Sequence, residues 1–134
     1  MFRFRGKRKG NGEWVVGWYI QTRAHVLDDN DLDDYPVNHL IVDEFMNEYD
    51  VYPHTLSIST GKPDSKGEEI FASFPIDGVM TTGGDVVNVP RWKHLGDMPV
   101  TYSAIWSKFI VGYFELSSAD SNEITIIGKQ GGKQ

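Results

Sequence analysis

Three sets of residues in this chain could do chemistry: a run of alternating acids, four histidines, and a basic segment threaded with aromatics. Asp29-Asn30-Asp31-Leu32-Asp33 sets side-chain oxygens at alternate positions, the spacing of ligands one, three and five of a calcium loop. Such a loop also needs glycine at its sixth position and a bidentate glutamate at its twelfth. Those positions hold Asp34 and Leu40. The stretch therefore reads as a solvated acidic loop, and no metal site is expected. His25, His39, His54 and His94 show no ligand spacing, so nothing in the sequence converges the three or four ligands that zinc needs. No nucleophile-elbow pattern accompanies a serine, and a chance pair such as His54 with Ser57 makes no triad. Thr82-Gly83-Gly84-Asp85 lacks the lysine of a phosphate-cradling loop. No catalytic residue and no cofactor are expected, and an enzyme is the least favoured class.

The basic segment is the remaining lead. Arg3, Arg5, Lys7, Arg8 and Lys9 lie among Phe2, Phe4, Trp14, Trp18 and Tyr19. Aromatic platforms beside cations suit single-stranded nucleic acid. The competing reading is stronger: aromatics at a period of two are core or cross-strand pairs, with Arg3 and Arg5 on a solvated face. The net charge of −6 also argues against a general nucleic-acid binder. No Lys or Arg occurs from Ala24 to Gly61, where the acids gather. These opposite blocks suggest that Arg3, Arg5, Lys7 and Arg8 meet Asp29, Asp31 and Asp33, within one chain or between two copies. The 7 Phe, 6 Tyr and 4 Trp are more than a small core holds easily, and Trp14, Trp18, Tyr19, Tyr35, Trp92 and Tyr102 compete for it. Some are expected on a surface patch, and a homo-oligomer is expected.

A chain of 134 residues fits one domain and buries a core without staples. It has no cysteine, which fits a reducing cytoplasm. No stretch approaches the roughly 20 apolar residues of a membrane span, so no membrane partner is expected.

Turn signals and alternation predict strands throughout. Phe2 to Arg5 alternates, Gly10-Asn11-Gly12 is a hairpin signal, and Trp14 to Ile20 is β-branched or aromatic on both faces, as in a central strand. His25 to Leu27 is a short strand, Asp28 to Pro36 a loop, and Leu40-Ile41-Val42 a strand core. Phe45 to Tyr52 is a hairpin return or a helical turn, with the hairpin preferred. Val51 to Phe71 reads as strand, tight loop, strand, with Gly61, Pro63, Asp64 and Gly67 supplying the turn chemistry. Gly61 and Gly67 are expected at φ > 0. Pro75 to Gly84 is a loop, and Asp85 to Val89 a strand stopped by Pro90. From Tyr102 to Tyr113 both helical and strand spacings are present; β-rich composition and Gly112 favour two strands with a turn near Lys108. Ile124 to Ile127 is the last strand. The sequence shows no internal repeat.

Several short motifs, in this order, resemble those of the YopX family of phage and prophage proteins. The central one is Pro53, Thr55, Thr60-Gly61, Asp64, Gly67 and Ile70-Phe71, and a second is Gly84-Asp85-Val86-Val87. Phe4 to Arg8, Gly12 to Gly17, Ile105-Trp106, Gly112 to Phe114 and Ile126 to Gly128 extend the likeness over most of the chain. Two features depart from the family: Ala72 to Gly83 intervenes before the glycine-aspartate motif, and Lys129 stands where asparagine is usual. The resemblance implies a mainly β fold. It implies a small, strongly bent, SH3-like barrel in the C-terminal half, residues 53–128. Residues 1–52 add strands and the acidic loop, and 129–134 form a tail of the same domain. It implies a phage- or prophage-encoded accessory protein in a bacterial cytoplasm, with no established activity to carry over. Such a protein acts by binding a second copy or a phage or host protein. The alternatives are a nucleic-acid-associated module and, last, an enzyme.

Overall fold

A computed structural model describes residues 3–23 and 37–129. Asp29, Asp31 and Asp33, the strand expected at His25, and residues 130–134 lie outside the described residues. The chain is mainly β, built from antiparallel sheets, with no α-helix among the described residues.

The first half begins with β1 (Phe4–Lys7) and β2 (Trp14–Arg23), joined through Gly12 at φ +73°. Strands β3 (Val37–Val42) and β4 (Glu48–Asp50) follow as the expected hairpin. Residues Pro53–Thr55 then form a 3-10 turn where extended chain was expected. Proline fixes φ at the start of this turn. The Thr55 hydroxyl donates to Tyr52 O (2.6 Å) and accepts from Lys7 N (2.9 Å), tying the turn to β1. Strand β5 (Ser57–Pro63) returns to β1, and β6 (Glu69–Ala72) pairs with β5, giving the order β4-β3-β2-β1-β5-β6. The central position expected for Trp14 to Ile20 is the one β2 occupies. Gly61 and Gly67 sit at φ +75° and +83°, as their spacing predicts.

Residues 75–84, expected to be loop, hold a small hairpin of β7 (Pro75–Ile76) and β8 (Val79–Met80). Asp77 and Gly78 both take positive φ there, the requirement of a two-residue hairpin turn. The second half repeats the strand plan of the first. Strands β9 (Asp85–Asn88), β10 (Met98–Ser103), β11 (Lys108–Val111) and β12 (Phe114–Glu115) form a meander. Two 3-10 turns (Leu116–Ser118 and Ser121–Glu123) follow, and β13 (Thr125–Lys129) returns to β9. The order is β12-β11-β10-β9-β13. Lys129, expected in the tail, ends β13. The Tyr102 to Tyr113 segment is two strands with a turn ending at Ser107.

The expected barrel does not close, because both sheets are open in strand order. Single bridges and side chains, rather than ladders, occupy the places where closure would occur. Arg8 bridges to Val51 at the end of β4, and Ser73 bridges to Thr101 in β10. Asp85 Oδ2 accepts the edge amide of Phe71 (2.8 Å), and Asp64 Oδ2 accepts that of Ile126 (3.2 Å).

The buried residues form two clusters, and the second also takes Ile70 and Ala72 from β6. The first gathers Ile41, Val51 and Leu56 with Phe4, Tyr19 and Phe74 around them. The second is larger and centres on Ile70, Val87, Val100, Val111 and Ile124, with Trp92 buried at its rim.

Candidate interaction surface

The basic segment folds into the molecule. Successive residues of a strand face opposite ways, so Phe4 enters the first core while Arg3 and Arg5 lie on the other face. Arg5 was expected on a solvated face and is buried. Its guanidinium donates to Asp85 Oδ1 and to Gly83 O, both at 2.9 Å, and lies 4.5 Å from the Phe71 ring centre and 5.3 Å from that of Trp14. Aromatic faces and a paired carboxylate make burial of this charge tolerable. Nε of Arg5 and Oγ of its cross-strand neighbour Ser57 are both buried without a hydrogen-bond partner.

Arg3 is exposed and pairs with Glu69 at 2.6 Å. Arg8 lies over the Tyr49 ring at 4.6 Å, with Glu13 at 3.9 Å. The amide of Lys7 is held by Thr55. Arg3, Arg5 and Arg8 thus meet acids and rings of their own chain rather than standing as a cationic face. Their pairing with Asp29, Asp31 and Asp33 falls outside the described residues.

The motif residues gather at turns and seams. Asp64 is buried, and its Oδ1 accepts the amides of Lys66 and Glu68 at 2.9 Å. Burial pushes its carboxyl up, but the amides of Ile126, Glu68 and Lys66 outweigh that and hold it below the usual range. Ile70 is fully buried. Gly84 N donates to Ser73 Oγ at 2.8 Å, and a Cβ at Gly84 would meet Ser73 N at 2.4 Å. A Cβ at Gly83 would meet Thr55 O at 1.8 Å. Only glycine lets the chain pass there.

Among the described residues, no group of three His, Asp or Glu could hold a metal. Tyr19 and His39 share a 2.7 Å hydrogen bond beside a shallow pocket with His54 and Asp77. Burial and nearby Lys9 lower the His39 pKa, with Asp77 opposing them.

The surface carries the most unusual feature. Trp18, Ile20, Phe45, Met46, Ile105, Trp106 and Tyr113 are all exposed. Trp18 and Phe45 line a groove of about 460 Å³ together with Val16, Gly17, Arg3, Asp43 and Glu44. The Asp43 carboxylate accepts the amides of Phe45 and Asn47 at 2.9 Å and so fixes the turn that lifts Phe45. Of the aromatics expected to compete for the core, Trp92 is buried and Trp18 exposed, while Trp14, Tyr19 and Tyr102 are half-buried. Tyr35 lies outside the described residues. Phe45, Ile105 and Tyr113 were missed as surface residues. Their signal was an apolar side chain inside a turn: Asp43 to Asn47, Ser103 to Ser107, and Gly112-Tyr113.

Among the described residues no helix is long and apolar enough to cross a membrane. No family model, curated protein or solved structure matches this chain.

Proposed function

We propose that the chain is a YopX-like accessory protein of phage or prophage origin, acting in a bacterial cytoplasm as a protein-interaction module that self-associates. The observation that carries this reading is the display of large apolar side chains on turns. Ile105 and Tyr113 are each 90% exposed and Trp106 is 61% exposed, although fifteen apolar residues are buried among the described residues. Exposed apolar side chains of this size suit an interaction surface. The YopX part of the proposal rests on the sequence motifs. It is supported by the work those residues do: Pro53 and Thr55 form the 3-10 turn, Gly61 and Gly67 take positive φ, and Asp64 and Asp85 cap strand edges.

The SH3-like architecture expected for residues 53–128 is proposed here for both halves. Its support is the shared plan of a four-strand meander, a 3-10 turn, and a fifth strand returning to the first. Peptide recognition in grooves is one use of such small scaffolds. The nucleic-acid reading is not favoured, because Arg5 is buried and Arg3 and Arg8 are engaged.

Sedimentation velocity from micromolar concentration upward at moderate salt tests self-association. A dimer or larger species is expected. A monomer of 15.2 kDa across a hundredfold concentration range overturns it. A gel shift with single- and double-stranded DNA should show no salt-dependent binding.

A further inference from the structure

We propose that Asp77 is a site of spontaneous covalent modification, where attack by the Gly78 amide converts the β7–β8 turn to an isoaspartyl linkage.

The sequence holds one Asp-Gly pair, Asp77-Gly78, and one Asn-Gly pair, Asn11-Gly12. Both can cyclise, because glycine puts no side chain in the way of its own nitrogen. By residue type alone Asn11 is the better candidate, since ammonia leaves an amide more readily than water leaves a carboxyl group. The surroundings of the two pairs reverse that order.

At Asn11 both reacting groups are held. Gly12 N donates to Arg8 O at 3.0 Å, and Asn11 Oδ1 accepts from Glu13 N at 3.0 Å. Behind them Arg8 N donates to Glu13 O at 2.8 Å, and four consecutive pairs run from Lys7↔Trp14 to Phe4↔Gly17. Strand β1 also lies inside the six-stranded sheet, with β5 on its other side.

At Asp77 neither group is held. Among the described residues, the Gly78 amide and the Asp77 carboxylate make no hydrogen bond or ion pair. The carboxylate shares a shallow pocket with His39 and His54. Asp77 and Gly78 are exposed, and a Cβ at Gly78 would meet nothing within 4 Å, so water reaches the turn. The hairpin is a sheet of its own, only two pairs long, Pro75↔Met80 and Ile76↔Val79. Pro75 has no N–H to give it. An isolated two-stranded hairpin is marginal. Asp77 at φ +50° also sits in the left-handed region that side chains disfavour. The turn therefore opens at little cost, and opening lets Gly78 N reach Asp77 Cγ.

Gly78 N then bonds to Asp77 Cγ, and the amide proton and carboxyl hydroxyl leave together as water, closing a succinimide ring. Water next adds to the main-chain carbonyl carbon of Asp77 and breaks its bond to Gly78 N. The chain now runs through Cγ, one carbon longer, with a free α-carboxylate and an unchanged mass. A two-residue hairpin turn does not fit a longer backbone. The modification should thus loosen the bond from Thr81 N to Phe74 O (2.9 Å), which ties the hairpin to a ring of the first core.

The test ages the folded chain, beside short peptides carrying each pair, for several weeks at physiological temperature and pH. Isoaspartyl methyltransferase labelling and fragmentation mass spectrometry locate the product. Asp77 in the folded chain should isomerise within about threefold of its peptide rate, and Asn11 should deamidate at least about tenfold more slowly than its peptide. Hydrogen exchange at the Thr81 amide should quicken in the aged chain. Asp77→Glu, which would have to close a larger ring, should lose the labelling at that position while its circular dichroism matches the wild type. Labelling that persists in Asp77→Glu, or equal slowing at the two pairs, overturns the proposal.

Discussion

In residues 4–63 the second strand, β2, serves β1 with Trp14 to Gly17 and then β3 with Trp18 to Arg23. In residues 85–129 the second strand, β10, serves β9 with Met98 and Pro99 and then β11 with Val100 to Ser103. The division of labour is the same, yet the side chains are used differently. The first half leaves Trp18 and Ile20 on an uncovered sheet face and packs a small, aromatic-rimmed core. The second half supplies most of a larger, mainly aliphatic core, completed by Ile70 and Ala72 of β6, and carries its most exposed side chains, Ile105 and Tyr113, on turns. One topology thus supports two differently packed cores. The difference lies in which positions of the plan carry large residues, since fold and binding surface are set by separate residues.

The joint between the halves should give the largest effect. Asp85 is buried, receives Arg5 from the first half, and caps Phe71. Asp85→Ala leaves a buried cation without a partner, so urea unfolding should show a loss of about 3–5 kcal/mol. Arg5→Met combined with Asp85→Leu should recover much of that loss, whereas a double variant as unstable as the single one would show that the pair does not join the halves. Next come the cores themselves. Ile124→Ala in the second core and Leu56→Ala in the first should each cost about 2–5 kcal/mol, because both side chains are fully buried. The cost at Leu56 should be the smaller if the sparser first core collapses more readily. Equal losses would remove that contrast.

Much of this plan was legible in the sequence because it rests on local chemistry. Gly61 and Gly67 lie in open space at positive φ, so backbone freedom alone explains them, and turn spacing revealed it. Alternation and Gly112 located β10 and β11. The repeat was not legible. Gly17 in β2 and Pro99 in β10 occupy equivalent changes of partner and share no residue type, so only strand pairing reveals the likeness. Arg5 was misread because its partners Asp85 and Gly83 are about eighty residues away, and alternation cannot see a distant carboxylate. The exposed groove was missed for the same reason, since Val16 and Phe45 meet only through the β2–β3 pairing.

Smaller effects sharpen the contrast further. Gly61→Ala and Gly67→Ala should each destabilise by about 1 kcal/mol, read from the urea midpoint, since nothing else touches an added methyl. Variants that match the wild type would mean these turns relax. Asp64 links the first half to β13, and its pKa is lowered in the folded state. A group of that kind stabilises above its unfolded pKa of about 3.9. The contribution is lost as pH falls through the folded value. Asp64→Asn should therefore flatten the fall in melting temperature over that acidic window. An unchanged slope would assign the acid sensitivity to other carboxylates.

Oxidative footprinting with mass spectrometry, over a hundredfold range of protein concentration, asks most directly whether these apolar surfaces are the binding surfaces. Trp18 and Phe45 from the first half and Trp106 from the second should lose reactivity together as concentration rises. Trp92, buried in the second core, should keep its low reactivity at every concentration. Reactivity that is constant at all of the exposed residues would contradict the account.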